Sequence, residues 1–375
     1  MILIFKTMKP CRRQAWALAL VGLSACTSPL SKTKDAGTTL RNELLEATGA
    51  CALQTVRAFR DDARALAAAP SRTTWQSAMK TWQRLEMMQF GPTGSSLAPG
   101  GQDFRDHIYA WPLVSRCAMD EVLVSKSYES GVSALLVNRR GLAALEYLLF
   151  YENDDVVCSA EAWAKVSGTD RKAQKAKFVE ALAVDLKVRA EGLASAWEGG
   201  FVETLRTAGP GNATYPTAQG ALNRVSDALF YLEKEVKDAK LAKPLGLRDC
   251  ASPPCLDAVE SPYARHDLHN LRANLFAFRQ ATEGCGDGFS GMGFDDVLAA
   301  SGASSLSTRL RERAVAAQAA LEAIEEPSLK DALVADPASV RALYDAVKAV
   351  TDLMKSELTT VLDLELPLGL EGDND

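Results

Sequence analysis

LRNELLEATGACALQTVRAFRDDARALAAA, residues 40–69, decides the fold class. Leu44, Leu45, Cys51, Val56, Phe59 and Leu66 fall on the three-and-four spacing of one helical face. Pro70-Ser71 closes that helix and sets a hydroxyl where it can cap the next. Residues 73–90 repeat the pattern with Trp75, Met79, Trp82 and Leu85 or Glu86 along one side. A Gly, Pro and Ser-rich loop, 91–101, follows, then a short segment 104–111 ended by Pro112, and a helix over 114–125. Residues 140–151 predict a strongly apolar helix, glycine-started and interrupted by one acid, Glu146. Long helices are expected at 170–199 and 217–239, a breaker region at 244–262, and further helices at 267–283, 295–301, 304–325 and 339–362. Strict alternation is nearly absent, so the chain reads as all-α, built from helical bundles. Each half has long helices, a Gly/Pro-rich break and an apolar helix, which suggests two related bundles.

Upstream, Lys6, Lys9, Arg12 and Arg13 precede an apolar run, 15–23, and Asp35 is the only acid before Glu43. That run is shorter than the ~20 apolar residues of a permanent membrane helix. It has the length and flanks of an export signal. It ends in Leu23-Ser24-Ala25-Cys26, which resembles a bacterial lipoprotein signal cut before an acylated cysteine. The expectation is a signal peptide at 1–25, with translation starting at Met1 or Met8, and a lipid anchor on Cys26. Thr27 in place of an aspartate points to the periplasmic face of the outer membrane. Residues 26–39, rich in Ser, Thr, Lys and Gly, read as a flexible tether.

Removing residues 1–25 takes four basic charges away and moves the formal net charge from -6 to -10. With no basic stripe to release counterions, a nucleic-acid partner is not expected. About 350 residues remain, enough for two domains, here 40–205 and 206–375. Cys51, Cys117, Cys158, Cys250, Cys255 and Cys285 remain beyond the anchor, and an oxidising compartment permits disulfides among them. Cys250 and Cys255, flanking Pro253-Pro254, suit a small closed loop. The spacing lacks paired Cys-x-x-Cys knuckles, so no cysteine metal site is expected.

Six separated segments together carry a family resemblance: Trp82 through Phe90-Gly91-Pro92; Arg105 through Tyr109-Ala110-Trp111-Pro112; Arg140-Gly141-Leu142-Ala143-Ala144-Leu145-Glu146-Tyr147-Leu148-Leu149-Phe150; Lys240-Leu241-Ala242-Lys243-Pro244-Leu245-Gly246; Ser261-Pro262-Tyr263 on to Asn274-Leu275; and the ending Leu368-Gly369-Leu370-Glu371-Gly372-Asp373-Asn374-Asp375. In order and spacing they resemble the imelysin-like family, exported bacterial proteins also described as peptidase-like and linked to iron acquisition. The resemblance implies an all-helical, two-domain unit of related bundles with the motif helix facing the cleft between them. It also implies a Gly-x-His-x-x-Glu motif, which falls here on Gly141, Ala143 and Glu146. The histidine is replaced by Ala143. A His and a Glu three apart share a helical face and could hold a metal or relay a proton; alanine can do neither.

Glu146 among leucines is costly to bury unless it is partnered, and Arg105, Tyr109, Arg139 and Arg140 are the partners at hand. Its readings are a structural hydrogen-bond hub, a metal or ligand contact, or a catalytic acid or base. His107 could stand in for the absent histidine at a metal. His266 and His269 sit three apart beside Asp267, as a metal pair or as capping residues. Glu371, Asp373 and Asp375 resemble a cation site by charge alone and read first as a solvated terminus. The expected function is a lipid-anchored, non-catalytic, monomeric binding protein for uptake of iron or another divalent cation, working with other uptake components. A metallopeptidase and a structural or partner-docking envelope protein are the alternatives, the former weakened by the broken motif.

Overall fold

A computed structural model describes residues 29–153, 163, 165–367 and 370. The fold is helical throughout, and no strand occurs among the described residues. Helix α1 spans Pro29–Ala68, α2 Arg72–Leu85, α3 Phe104–Ile108, α4 Arg116–Ser125, α5 Gly141–Phe150, α6 Gly168–Glu198, α7 Phe201–Arg206 and α8 Ala218–Leu229. A π-helix, Leu232–Ala242, continues from α8. Then come α9 at Asp267–Glu283, α10 at Phe294–Ala300, α11 at Ser304–Glu322, α12 at Leu329–Ala335 and α13 at Pro337–Leu353. A short π-turn, Met354–Leu358, and Thr359–Leu362 extend α13.

The helix boundaries follow local chemistry. Ser71 and Thr74 form a reciprocal capping box at the head of α2, as the Pro70-Ser71 signal predicts. The buried face of α2 is Trp75, Ala78, Met79, Trp82, Gln83 and Leu85. Trp82 packs on Phe59 of α1 at 5.1 Å between ring centres. Trp75 turns its indole N–H to the carbonyl of Leu142, 2.9 Å away, which ties α2 to α5. α2 also packs along α9, and α13 packs on α11 and on the π-helix.

Thr38–Asp375 forms one compact unit with a continuous hydrophobic core, and the stretches 40–205 and 206–375 are parts of it. The helix α1 starts at Pro29, inside the stretch expected to be a tether. Pro at a first helical position and a Ser/Thr/Lys-rich turn are compatible with extending a helix that the apolar face beyond residue 40 has already nucleated. Residues 1–28, which include Cys26, lie outside the described residues, as do Cys158 and the acidic ending Glu371, Asp373 and Asp375. No helix among the described residues is long and apolar enough to cross a membrane.

Cys250 and Cys255 form a disulfide around the Pro253-Pro254 loop. A second disulfide, which the sequence did not single out, joins Cys51 in α1 to Cys285 just after α9, 234 residues later.

Candidate functional site

α5 is the motif helix, and its first residue explains the motif glycine. Gly141 has φ +78°, and a Cβ there would lie 2.3 Å from the carbonyl oxygen of Ile108. Both the left-handed conformation and the close approach require glycine. α5 thus begins pressed against the end of α3, and every residue from Gly141 to Leu148 is buried. Ala143 is among them, so the position of the motif histidine holds a methyl group in the packed interior.

Glu146 is only 3% exposed. Its Oε1 accepts hydrogen bonds from the backbone amides of Tyr263 (2.9 Å) and Ala264 (3.0 Å). Burial pushes its carboxyl up to about 8; the two amides oppose this, while Glu260 and Asp267 add to it. At neutral pH the side chain is therefore mostly a neutral acid that pins the loop before α9 onto α5. Its Oε1 is thus engaged by two backbone amides of that loop.

The arginines expected to partner Glu146 go elsewhere. Arg139 pairs with Glu121 at 2.9 Å. Arg140 donates to the carbonyl of Ser133 at 3.1 Å and meets Nδ1 of His107. Arg105 pairs with Asp106 at 3.1 Å and faces the buried Glu86 at 3.7 Å. α5 turns Glu146 toward the loop at 260–264, whose amides it meets. His107 follows Arg140. Its imidazole is held below the usual histidine value, first by burial, then by Arg140 and Arg189. Two nearby cations oppose a metal ion at that ring, and no hydrogen bond or ion pair among the described residues joins His107 to Glu146.

Beside Glu146 lies a buried network that sequence reasoning did not assemble. Glu260, in the loop before α9, accepts at Oε1 from the Tyr109 hydroxyl (2.7 Å) and from Nε2 of Gln83 (3.0 Å). Its Oε2 pairs with Nζ of Lys240, 2.9 Å away and delivered by the π-helix. Lys240 also donates to Oδ1 of Asn274 (2.8 Å) and Oε1 of Gln83 (2.7 Å). Asn274 in turn donates to the Gln83 carbonyl at 2.7 Å. Glu86 stands nearby, fully buried, raised by that burial and held in part by Arg105. A buried ion pair survives only when its remaining donors and acceptors are occupied, and here Gln83 and Asn274 occupy them. An 11-residue π-helix is rare, and π turns often sit at functional positions; Lys237 and Lys240 on it are both buried.

The histidine pair is packed, not converged. The His266 and His269 rings stack at 4.6 Å and 4° between planes. In-plane nitrogen lone pairs of parallel rings do not meet at one ion. His266 sits at the head of α9 without a side-chain capping bond, and its ring packs edge-on against Trp75. Asp267 instead caps two amides, those of Leu268 and Leu329, each at 2.7 Å. Burial raises its carboxyl to about 6. Among the described residues no three His, Cys, Asp or Glu side chains come together as a metal shell would need.

These arrangements bear on the comparisons with known proteins. No curated protein sequence matches the chain. Among solved structures, an imelysin-like protein from Psychrobacter arcticum 273-4 is similar at 19% identity and a TM-score of 0.62, over 94% of this chain and 100% of that one. An iron-regulated protein A precursor from Parabacteroides distasonis ATCC 8503 is similar at 15% identity and a TM-score of 0.66, over 90% of this chain and 97% of that one. At such identities the likeness is one of fold. The family model for imelysin, peptidase M75, matches residues 47–357, a span that contains α5, the π-helix and the buried network, and on that match the chain belongs to the imelysin family.

Proposed function

We propose that the chain is a non-catalytic binding protein of the bacterial cell envelope that serves uptake of iron or another metal. Export, a lipid anchor at Cys26, the periplasmic face of the outer membrane and a monomeric state are parts of this reading. The same reading takes 40–205 and 206–375 as related helical bundles, on the order of long helix, break and apolar helix in each. The similar fold of a protein described as iron-regulated supports the link to iron.

The observation that carries the non-catalytic part is the state of the motif. Glu146 is capped by two backbone amides and holds its proton, and the histidine position is filled by buried Ala143. Hydrolysis assisted by a metal needs an open ligand set and a base. Among the described residues neither is built around α5. Glu260 cannot supply one without losing Lys240. The motif centre instead acts as a hub that fixes the loop at 260–264 against α5, and the cargo is not held there as a bare ion.

The test is growth of a deletion strain under iron limitation. The strain should grow poorly, and recover with the wild-type gene or with E146Q, but not with C26S. The purified protein should leave casein intact over long incubation. Normal growth of the deletion strain, or casein cleavage abolished by E146Q, would overturn the proposal, the latter in favour of a metallopeptidase.

A further inference from the structure

The seam between α2 and α9 holds a groove that the motif centre does not use. Its volume is about 470 Å³, and its lining includes Lys80, Arg84, His266, His269, Arg272 and Phe276. Among the described residues no carboxylate lines it. The sequence places the cations by helical spacing: Lys80 and Arg84 are four apart on α2, while His269, Arg272 and Phe276 follow one face of α9.

The cations are unequal. Arg272 is committed to Glu322 through two bonds of 2.6 and 2.9 Å. Arg84 has no ion pair among the described residues. Its guanidinium lies over the Phe276 ring at 4.4 Å, and its Nε is buried without an acceptor. Burial alone holds Arg84 below the usual arginine value. Lys80 is exposed and likewise without an ion pair among the described residues; it acts electrostatically on Asp62, whose carboxylate accepts from Thr81 at 2.9 Å. Deeper in, His266 is 6% exposed, and its Nε2 has no partner among the described residues. An unpaired buried guanidinium N–H and an unpaired buried imidazole nitrogen in one groove are polar groups that lack a counterpart.

We propose that this groove binds a small organic oxyanion, a carboxylate or phosphate ester with an aromatic or apolar body, its charge between Lys80 and Arg84 and its body along Phe276. Arginine and lysine together match the geometry and charge of such groups. The aromatic wall accounts for preferring an organic anion over a bare inorganic one. The site is separate from Glu146 and stands whether or not the protein serves metal uptake.

The test is calorimetric titration of the purified protein with phthalate, phenyl phosphate and inorganic phosphate at low ionic strength. At least one aromatic anion should bind, and inorganic phosphate should bind at least tenfold more weakly. K80Q/R84Q should weaken that binding at least tenfold with an unchanged melting temperature. E322Q, an exposed change that frees Arg272 for the ligand, should strengthen binding about threefold, which a purely structural role for these residues would not produce. Phthalate binding with no phenyl phosphate binding assigns the carboxylate source, and the reverse assigns the phosphate source. No binding of either aromatic anion, equal binding of inorganic phosphate, or unaltered affinity in a folded K80Q/R84Q overturns the proposal. If that double variant fails to fold, the E322Q result decides.

Discussion

Replacing Glu146 separates a protonated hub from a charged site. The carboxyl has an ordinary value of 4.5 and is held near 8 in the folded chain. Below about pH 4.5 both folded and unfolded states carry the proton, and no penalty arises. As the pH climbs from 4.5 to 8 the unfolded chain releases the proton while the native state keeps it, so stability falls with rising pH. Above 8 the native carboxyl ionises too, and the slope ends. Across that window the wild type should lose on the order of 5 kcal/mol at this residue. E146Q keeps an oxygen acceptor for the amides of Tyr263 and Ala264 and has no proton to lose. Its stability at pH 5 should lie within about 1 kcal/mol of wild type, and it should exceed wild type by a few kcal/mol at pH 8.5. E146A strands two buried amides and should cost about 2–5 kcal/mol at pH 5. Urea denaturation at pH 5, 6.5 and 8.5 measures all three proteins. Glu86, also raised by burial, is common to all three proteins, whereas Asp267, whose charge helps to raise Glu146, is coupled to it and its release from that coupling is part of the difference. Parallel pH profiles for wild type and E146Q, or an E146Q as damaged as E146A, would refute the reasoning.

K240M should destabilise the fold by about 3–5 kcal/mol, because Glu260 is left charged and buried; K240M/E260L should recover most of that loss in the same denaturation assay. G141A should cost at least about 2 kcal/mol, since its methyl group meets the Ile108 carbonyl at 2.3 Å in a left-handed conformation, and a thermal melt reads it directly. Removing the Cys51–Cys285 link as C51A/C285A should cost about 2–4 kcal/mol. C250A/C255A, which opens a loop closed over a separation of 5, should cost less, and peptide mapping without reductant should recover both pairs.

Much of this fold is written locally. α9 begins and ends at Asp267 and Glu283 as its apolar periodicity implies, and the Ser71 cap lies where a proline and a hydroxyl precede an amphipathic run. The regular spacing over 217–239 reads as one α-helix, yet the chain changes to π geometry at Leu232. Nothing in a 3.6-residue pattern marks that change. The short helices Phe201–Arg206 and Leu329–Ala335 hold too few turns to show a period. At the site, Gly141, Ala143 and Glu146 are legible from the motif, whereas the partners of Glu146 are not. They are backbone amides 117 and 118 residues away, a kind of contact with no side-chain signature. The Lys240–Gln83 bond spans 157 residues, and the Cys51–Cys285 pair 234. Charge and spacing pointed to the nearest arginines; the direction in which α5 faces decided otherwise.

The central claim is that the motif centre is a proton-holding hub in a non-catalytic binding protein. Side-by-side calorimetric titration of wild type and E146Q with ferrous and ferric iron tests it most directly. The account predicts superimposable isotherms for the two proteins, since Glu146 donates no ligand. Stoichiometric iron binding by wild type that disappears in a folded E146Q would contradict it.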